Sequence, residues 1–322
     1  MRGKLVLVIS LMIIFTAPFI GGYSLSIDNI VAFSGGDAEI FWRIRVPRVL
    51  LSFTAGAVLS ISGMIFQALF RNPLATPYTL GVASGASLGA ALYFLLSAVA
   101  IIPLYFGAPL FAFVGALCTM LLVYSLGWFI KGDSILLVGV ALNFCFSSII
   151  MFIQYTADFV SSHRIIRFMI GSLDSAPYFT ILIVTLFLIA GFIVNMVYRR
   201  ELDLIAIGDD VASSRGVDVV RVKYTFYIIT SLIIGCVVSV TGPIGFVGMM
   251  VPHICRLIVG MNHNKLAPVT FVFGGAFLTA CDTLARIVIF PNEIPVGVIT
   301  SMLGAPFFIF LLIQRRRLQT QH

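Results

Sequence analysis

Apolar side chains run along this chain in long blocks, without the alternation of a half-buried strand or the narrow stripe of a soluble helix. Ten stretches approach the roughly 20 mostly apolar residues that a bilayer-spanning helix needs. They lie near 5–22, 49–70, 79–101, 108–130, 135–156, 178–198, 224–241, 244–260, 267–290 and 296–313, separated by short clusters of charge, proline and glycine. Lipid offers a free backbone group no partner, so runs of this length cross as helices and not as barrel strands. The pattern predicts an all-α polytopic membrane protein of about ten transmembrane helices, in a single domain over residues 1–322. The first stretch follows Arg2 and Lys4 as a signal peptide would, but it runs into Gly21-Gly22-Tyr23 without a small-x-small cleavage pattern. It is expected to be a retained first helix.

Composition agrees. Of 322 residues, 60% are hydrophobic and 10% charged, and the mean hydropathy of +1.10 excludes a soluble domain of this size. With ten crossings and a cytoplasmic N-terminus, 14 of the 20 basic residues fall inside (Arg2, Lys4, Arg71, Lys131, Arg199, Arg200, Arg215, Arg221, Lys223, Arg256, Lys265, Arg315, Arg316 and Arg317). Six fall outside (Arg43, Arg45, Arg48, Arg164, Arg167 and Arg286), so both termini are expected in the cytoplasm. The net charge of +7 is explained by basic residues edging the helices at the headgroups, and nucleic acid is not an expected partner. Cys118, Cys145, Cys236, Cys255 and Cys281 all lie in apolar segments with no C-x-x-C or zinc spacing, and read as small buried hydrophobes. No metal site and no cofactor are expected.

A repeat is visible. Gly56-Ala-Val-Leu-Ser-Ile-Ser-Gly63 recurs as Gly235-Cys-Val-Val-Ser-Val-Thr-Gly242 at an offset of 179 (235 minus 56), which also carries Pro73 onto Pro252 and Gly81 onto Gly260. The copies begin in the second and seventh spans, five crossings apart, and so would run oppositely through the membrane. Inverted repeats of this kind belong to transporters that alternate between two openings; close packing of small residues is the other reading. The run Gly81, Gly85, Gly89 reads as a packing face.

One long polar segment, residues 199–223, carries ten of the 33 charged residues and cannot span. Asp209 and Asp210 are placed to start a short helix, and Gly216 to stop it. An amphipathic insert of this kind suits docking to another protein. The chain has no G-x-x-x-x-G-K-[ST] loop, so it is not expected to be an enzyme, and any ATP hydrolysis would belong to a separate subunit.

Several stretches resemble the FecCD-type permeases of binding-protein-dependent importers for siderophores, haem and cobalamin. They are Arg45-Val-Pro-Arg48, Gly63-Met-Ile-Phe-Gln-Ala-Leu-Phe-Arg-Asn-Pro-Leu-Ala75, Gly208-Asp-Asp-Val-Ala212, Gly242-Pro-Ile-Gly-Phe-Val-Gly248 with Pro252-His253, and Pro295-Val-Gly297 with Gly304-Ala-Pro306. The resemblance implies ten helices per chain, a second permease copy as homodimer or pseudo-dimer with the path between them, two cytoplasmic ATPase subunits, and an outer substrate-binding protein. It also implies a bacterial inner-membrane location. Arg45, Arg48 and Arg286 match the arginines that face outward to glutamates of the binding protein; for Arg286 a local pair with Asp282 is the other reading. Gly208, Asp209, Asp210, Ala212, Ser213 and Gly216 match the ATPase contacts. Asn72 and Leu74, with Asp133, correspond to the cytoplasmic gate, although Gly132-Asp133 departs from the small hydroxyl residues expected there.

The fifth helix is expected to line the path through Asn143, Ser147, Ser148 and Gln154, with packing against a neighbour as the competing explanation. Asn143, Ser147 and Gln154 share one face. His253 sits in a Pro-His turn and is expected to make a local bond; His163, beside Arg164 and Arg167, is better placed to meet an anionic chelate or a headgroup. An ion-coupled secondary transporter needs a free intramembrane acid, and Asp282, the only acid within a predicted span, has Arg286 one turn away. Among cargoes, an iron siderophore or haem comes first, cobalamin second, and an oxyanion such as molybdate third.

Overall fold

The computed structural model describes residues 2–98, 107–127, 134–174 and 176–319. Among these there are helices and turns but no strand. The first span is α1 (Arg2–Thr16), extended by a 3-10 turn at Ala17–Phe19. Two short helices, α2 (Ile27–Val31) and α3 (Gly35–Glu39), then lead through a π-helical turn at Ile40–Arg45 into α4 (Val46–Leu69). The third, fourth and fifth spans are α5 (Val82–Ala98), α6 (Gly107–Gly127) and α7 (Ser134–Thr156). An amphipathic helix, α8 (Phe159–Ile170), precedes the sixth span, α9 (Tyr178–Val197). The polar insert forms α10 (Arg199–Ile207) and α11 (Asp209–Ser214). The last four spans are α12 (Val219–Thr241), α13 (Val247–Val259), α14 (His263–Ile287) and α15 (Val296–Gln319).

Among the described residues, ten apolar helices therefore lie where the hydropathy places them. Six are long and apolar enough to cross a bilayer, and four apolar ones are shorter. The chain is a multi-pass membrane protein. The sequence reading had no counterpart of α8, although Asp158 caps it by accepting bonds from Val160 N at 3.0 Å and Ser161 N at 3.3 Å.

At the centre is α4, whose apolar window is 89% buried. Two of its glycines explain how neighbours reach it. A Cβ on Gly56 would lie 2.3 Å from the Gly274 carbonyl oxygen of α14, and one on Gly63 would lie 1.8 Å from the Gly248 oxygen of α13. Only hydrogen fits there. Ser52 Oγ and Thr279 Oγ1, 3.0 Å apart, add a bond between α4 and α14. The Gly81, Gly85, Gly89 face packs as expected: a Cβ on Gly85 or Gly89 would strike Thr119 or the Phe111 carbonyl of α6.

Helix contacts repeat at an interval of five spans. The pair α4 and α14 has its counterpart in α12 and α6, the pair α4 and α13 in α12 and α5, and the pair α5 and α7 in α13 and α15. The residue offset of 179 does not preserve local conformation, however. Gly63 is inside a helix where Gly242 ends one, and Pro73 lies in a turn where Pro252 is helical; Gly81 and Gly260 do share positive φ, at 84° and 83°.

One end of the bundle is fastened by a buried charge cluster. Asp282 on α14 accepts from Arg48 Nε of α4 at 3.0 Å and pairs with Arg286 Nε one turn on at 3.2 Å. Arg48 Nη1 also bonds Glu293, in the turn before α15, and Arg286 donates to the Ile20 carbonyl at 3.3 Å. Arg45 donates to the carbonyls of Pro18, Phe19 and Tyr23 at the end of α1. Two guanidinium groups thus satisfy one buried carboxylate, and their remaining donors bind α1 and α15 to the α4–α14 pair.

Two stability predictions follow from this packing. Gly63→Val is expected to lower stability by about 3 kcal/mol or more, the upper range of overpacking, whereas Gly36→Ala, whose new Cβ would meet nothing within 4 Å, should stay within about 0.5 kcal/mol. Asp282→Ala strands two buried cations and should cost about 3–5 kcal/mol, while Glu293→Gln, at a half-exposed position, should cost under about 1 kcal/mol. Thermal unfolding of the detergent-solubilised protein measures all four.

Candidate translocation and coupling site

The three arginines expected to offer exposed charge for docking do not do so. Arg45, Arg48 and Arg286 are 6%, 8% and 6% exposed. The reason is electrostatic: a carboxylate inside an apolar bundle is stable only when paired, and Asp282 draws Arg48 and Arg286 inward. The local Asp282–Arg286 pair is present, so that reading of Arg286 holds. Exposed charge at this end belongs instead to Arg43, paired with Glu39 at 3.4 Å, to Arg164, and to Arg167, paired with Asp174 at 3.1 Å.

Below the cluster, three backbone segments meet at the end of α8. Ser172 N donates to the Thr241 carbonyl at 2.9 Å, and Gly297 N donates to the Gly171 carbonyl at 3.2 Å. A Cβ on Gly242 would sit 2.3 Å from the Phe168 oxygen, and one on Gly297 2.0 Å from the Ile170 oxygen. The two glycine motifs at 242–248 and 295–297 are thus the places where α12 and α15 touch α8. Beside this junction lies a cavity of about 610 Å³ lined by Tyr78, Met169, Ile170, Gly245, Val298 and Met302, among others. A second, of about 250 Å³, shares Tyr78 and Gly245 with it and reaches Leu59 of α4. Among the described residues, neither lining carries a charged side chain. Tyr78 hydroxyl accepts from Ile244 N and so ties the α4–α5 turn to the α12–α13 turn.

None of the four polar residues proposed on α7 lines these two cavities. Asn143 Oδ1 accepts from Ser84 Oγ at 2.7 Å, and its Nδ2 donates to the Tyr78 carbonyl at 3.3 Å, so Asn143 packs α7 against α5. Gln154 Nε2 lies 3.8 Å from Met169 Sδ on α8, Ser148 Oγ returns to the Phe144 carbonyl at 2.9 Å, and Ser147 is half-buried. The reading missed Tyr78, whose signal was an aromatic beside Pro77 in the break between two spans.

At the opposite end, Asn72 Oδ1 accepts from Leu74 N at 2.9 Å, closing a tight turn after Arg71, whose φ is +51°. Asp133, the third residue assigned to the gate, lies outside the described residues. The insert stands beside this turn and behaves as its sequence implies: α11 starts at Asp209, and Gly216 follows it with φ +82°. Asp210, Ser213 and Gly216 are exposed, and Gly208 is half-buried. Ala212 is not a surface residue; at 0% exposure it plugs α11 into the core, and this corrects its assignment as a partner contact. Asp209 is drawn to Lys223 of α12 at 2.7 Å.

A link absent from the sequence reading joins α10 to α14. Asp203 Oδ1 accepts from His263 N at 3.1 Å and from His263 Nδ1 as well. Burial pushes the Asp203 carboxyl up, but the His263 bonds outweigh it and hold it below the ordinary range. Of the other histidines, His163 is exposed on α8 and stacks on Phe159 at 6.4 Å, and His253 meets the Phe307 ring edge-on at 6.1 Å. Among the described residues no group of three or more His, Cys, Asp or Glu could hold a metal ion.

The model of the FecCD transport family matches residues 6–314. The hemin transport system permease protein HmuU of Yersinia pestis is 35% identical over 302 residues, covering 92% of this chain and 90% of that one. The cobalamin import system permease protein BtuC of Halobacterium salinarum is 38% identical, covering 86% of this chain and 74% of that one. Among solved structures, an inward-facing conformation of a metal-chelate type ABC transporter aligns with a TM-score of 0.83 and 26% identity, over 97% of this chain and 99% of the other. With nearly its whole length matched, this chain belongs to the FecCD transport family.

Proposed function

We propose that this protein is the membrane-spanning permease subunit of an ATP-driven, binding-protein-dependent importer for a metal chelate, in the bacterial inner membrane with both termini in the cytoplasm. The observation that carries the reading is the insert: an amphipathic helix pair with its apolar side seated in the bundle and polar positions exposed, in a chain without a phosphate-binding loop. An ATPase subunit pressing on Asp210, Ser213 and Gly216 would move α10 and α11 together with the helices they rest on. Gly208, Asp209 and Ala212 shape and anchor that surface.

The Arg48 end is the outer face in this proposal, and a binding protein would dock around the buried arginines. Arg43, Arg164 and Arg167 supply exposed charge, and Arg48 becomes accessible only when Glu293 moves. Cargo would pass beside Tyr78 toward the turn at Asn72 and Leu74. The second copy of the permease would cover α7, whose Leu137, Phe144, Met151 and Tyr155 are 67–89% exposed along one stripe. The apolar, uncharged cavity lining suits a large shielded chelate, with an iron siderophore or haem first and cobalamin second.

The test is accumulation of haemin, ferric citrate and cyanocobalamin in proteoliposomes holding this chain, its partner ATPase and its binding protein. One of the three should accumulate only with ATP, and Tyr78→Ala should reduce uptake about tenfold, the loss of one packed positioning group. Accumulation driven by a proton or sodium gradient without the ATPase would overturn the proposal.

A further inference from the structure

The bond between Asp203 and His263 differs in kind from the insert's other attachment by charge. The Asp209–Lys223 pair is 39% and 25% exposed, where water screens it and such pairs contribute little. The His263 side chain is 3% exposed, and its backbone N–H and its ring converge on a single oxygen of Asp203. A carboxylate can only accept, so Nδ1 carries the hydrogen and Nε2 is left buried without a partner. Two donors from one residue fix both the position and the rotation of the first turn of α14.

Asp203 also completes a helix start. Asn264 N donates to the Asn262 side chain at 2.9 Å, and Lys265 N and Leu266 N donate to the Asn262 carbonyl at 3.1 and 2.9 Å, which leaves His263 N for Asp203. The free N–H groups of α14 are therefore closed partly by its own chain and partly by the insert. Behind this contact, Leu202 and Ile205 of α10 and Leu266 and Ala267 of α14 are all fully buried in one core. Pro268 removes one helical bond from α14, and the burial of the two residues before it holds that turn in place.

From there α14 runs 25 residues, about 37 Å at 1.5 Å per residue. Gly274 touches Gly56 of α4 on the way, and at the far end Asp282 holds Arg48 of α4 while pairing with Arg286 of its own helix. We propose that Asp203 and His263 are positioning residues that form the coupling link. Through them, displacement of α10 and α11 is delivered to α14, and from α14 to α4 and the charge cluster. This rests on the proposed role as an ATP-driven importer.

The test is the number of chelate molecules taken up per ATP hydrolysed by the full complex in proteoliposomes. The same three probes serve, and the one that the unaltered complex accumulates is followed. Asp203→Ala and His263→Ala should lower this ratio about fivefold or more, the low end of a typical coupling free energy. A D203C/H263C pair, in a background lacking the five native cysteines, keeps the result independent of folding. Bridged by a short bis-thiosulfonate reagent it should keep the unaltered ratio, and after reduction it should fall to the alanine value. A ratio unchanged in Asp203→Ala, or one that stays low when the bridge is closed, overturns the link while leaving the importer reading intact. Uptake by the unaltered complex without ATP overturns both.

Discussion

Helix-to-helix distance at α4 is the constraint on which the rest of the architecture depends. Lipid tails are as apolar as leucine, so burying an apolar face gives membrane helices little reason to associate, and close packing has to supply it. At Gly56 and Gly63 the backbone of α4 approaches the carbonyls of Gly274 and Gly248 so closely that no side chain fits between them. That approach lets one helix be surrounded by α9, α12, α13 and α14. It also carries Arg48 to within bonding distance of Asp282, and Gln67 to within reach of Arg256, at opposite ends of the same helix.

Polar groups concentrate at those two ends, and they work differently. In the Arg48–Asp282–Arg286 cluster each charge has a protein partner, and further donors reach the Glu293 carboxylate, the Thr283 hydroxyl and the Ile20 carbonyl. The insert end is half open. Asp203 and Asp209 are half-buried and paired with His263 and Lys223, while Asp210, Ser213 and Arg215 face outward. Between the ends lie uncharged cavities built where glycines allow three backbones to meet. Such a wall can accommodate a bulky shielded solute without binding it tightly, and it leaves selectivity to shape.

Much of this was legible in the chain. Among the described residues, block hydropathy placed ten apolar helices, because the hydrocarbon thickness sets the length of apolar sequence a span needs. Asp209 and Gly216 marked α11 because a first-turn acid and a positive-φ glycine just past the last turn are local signals. Asn143 was legible as an intramembrane polar residue, but not its partner: its bonds go to Ser84 and the Tyr78 carbonyl, which are 59 and 65 positions away. The repeat was legible as an interval of five helices and misleading as an offset of 179 residues, since Gly63 and Gly242 occupy different conformations.

The sequence by itself determined the solvent, the positions of the apolar helices, the polar insert and the family, since each follows from residue type and short-range order. Tertiary structure alone decided which way the charges face. Arg45, Arg48 and Arg286 sit near span ends where a sequence reading expects exposure, yet a carboxylate 234 positions from Arg48 draws it into the bundle. Ala212 turned inward because its methyl packs into the apolar core, and Asp203 found His263 across 60 positions. A side chain's direction depends on the partner that desolvation makes necessary, and that partner is brought close only when the helices have packed.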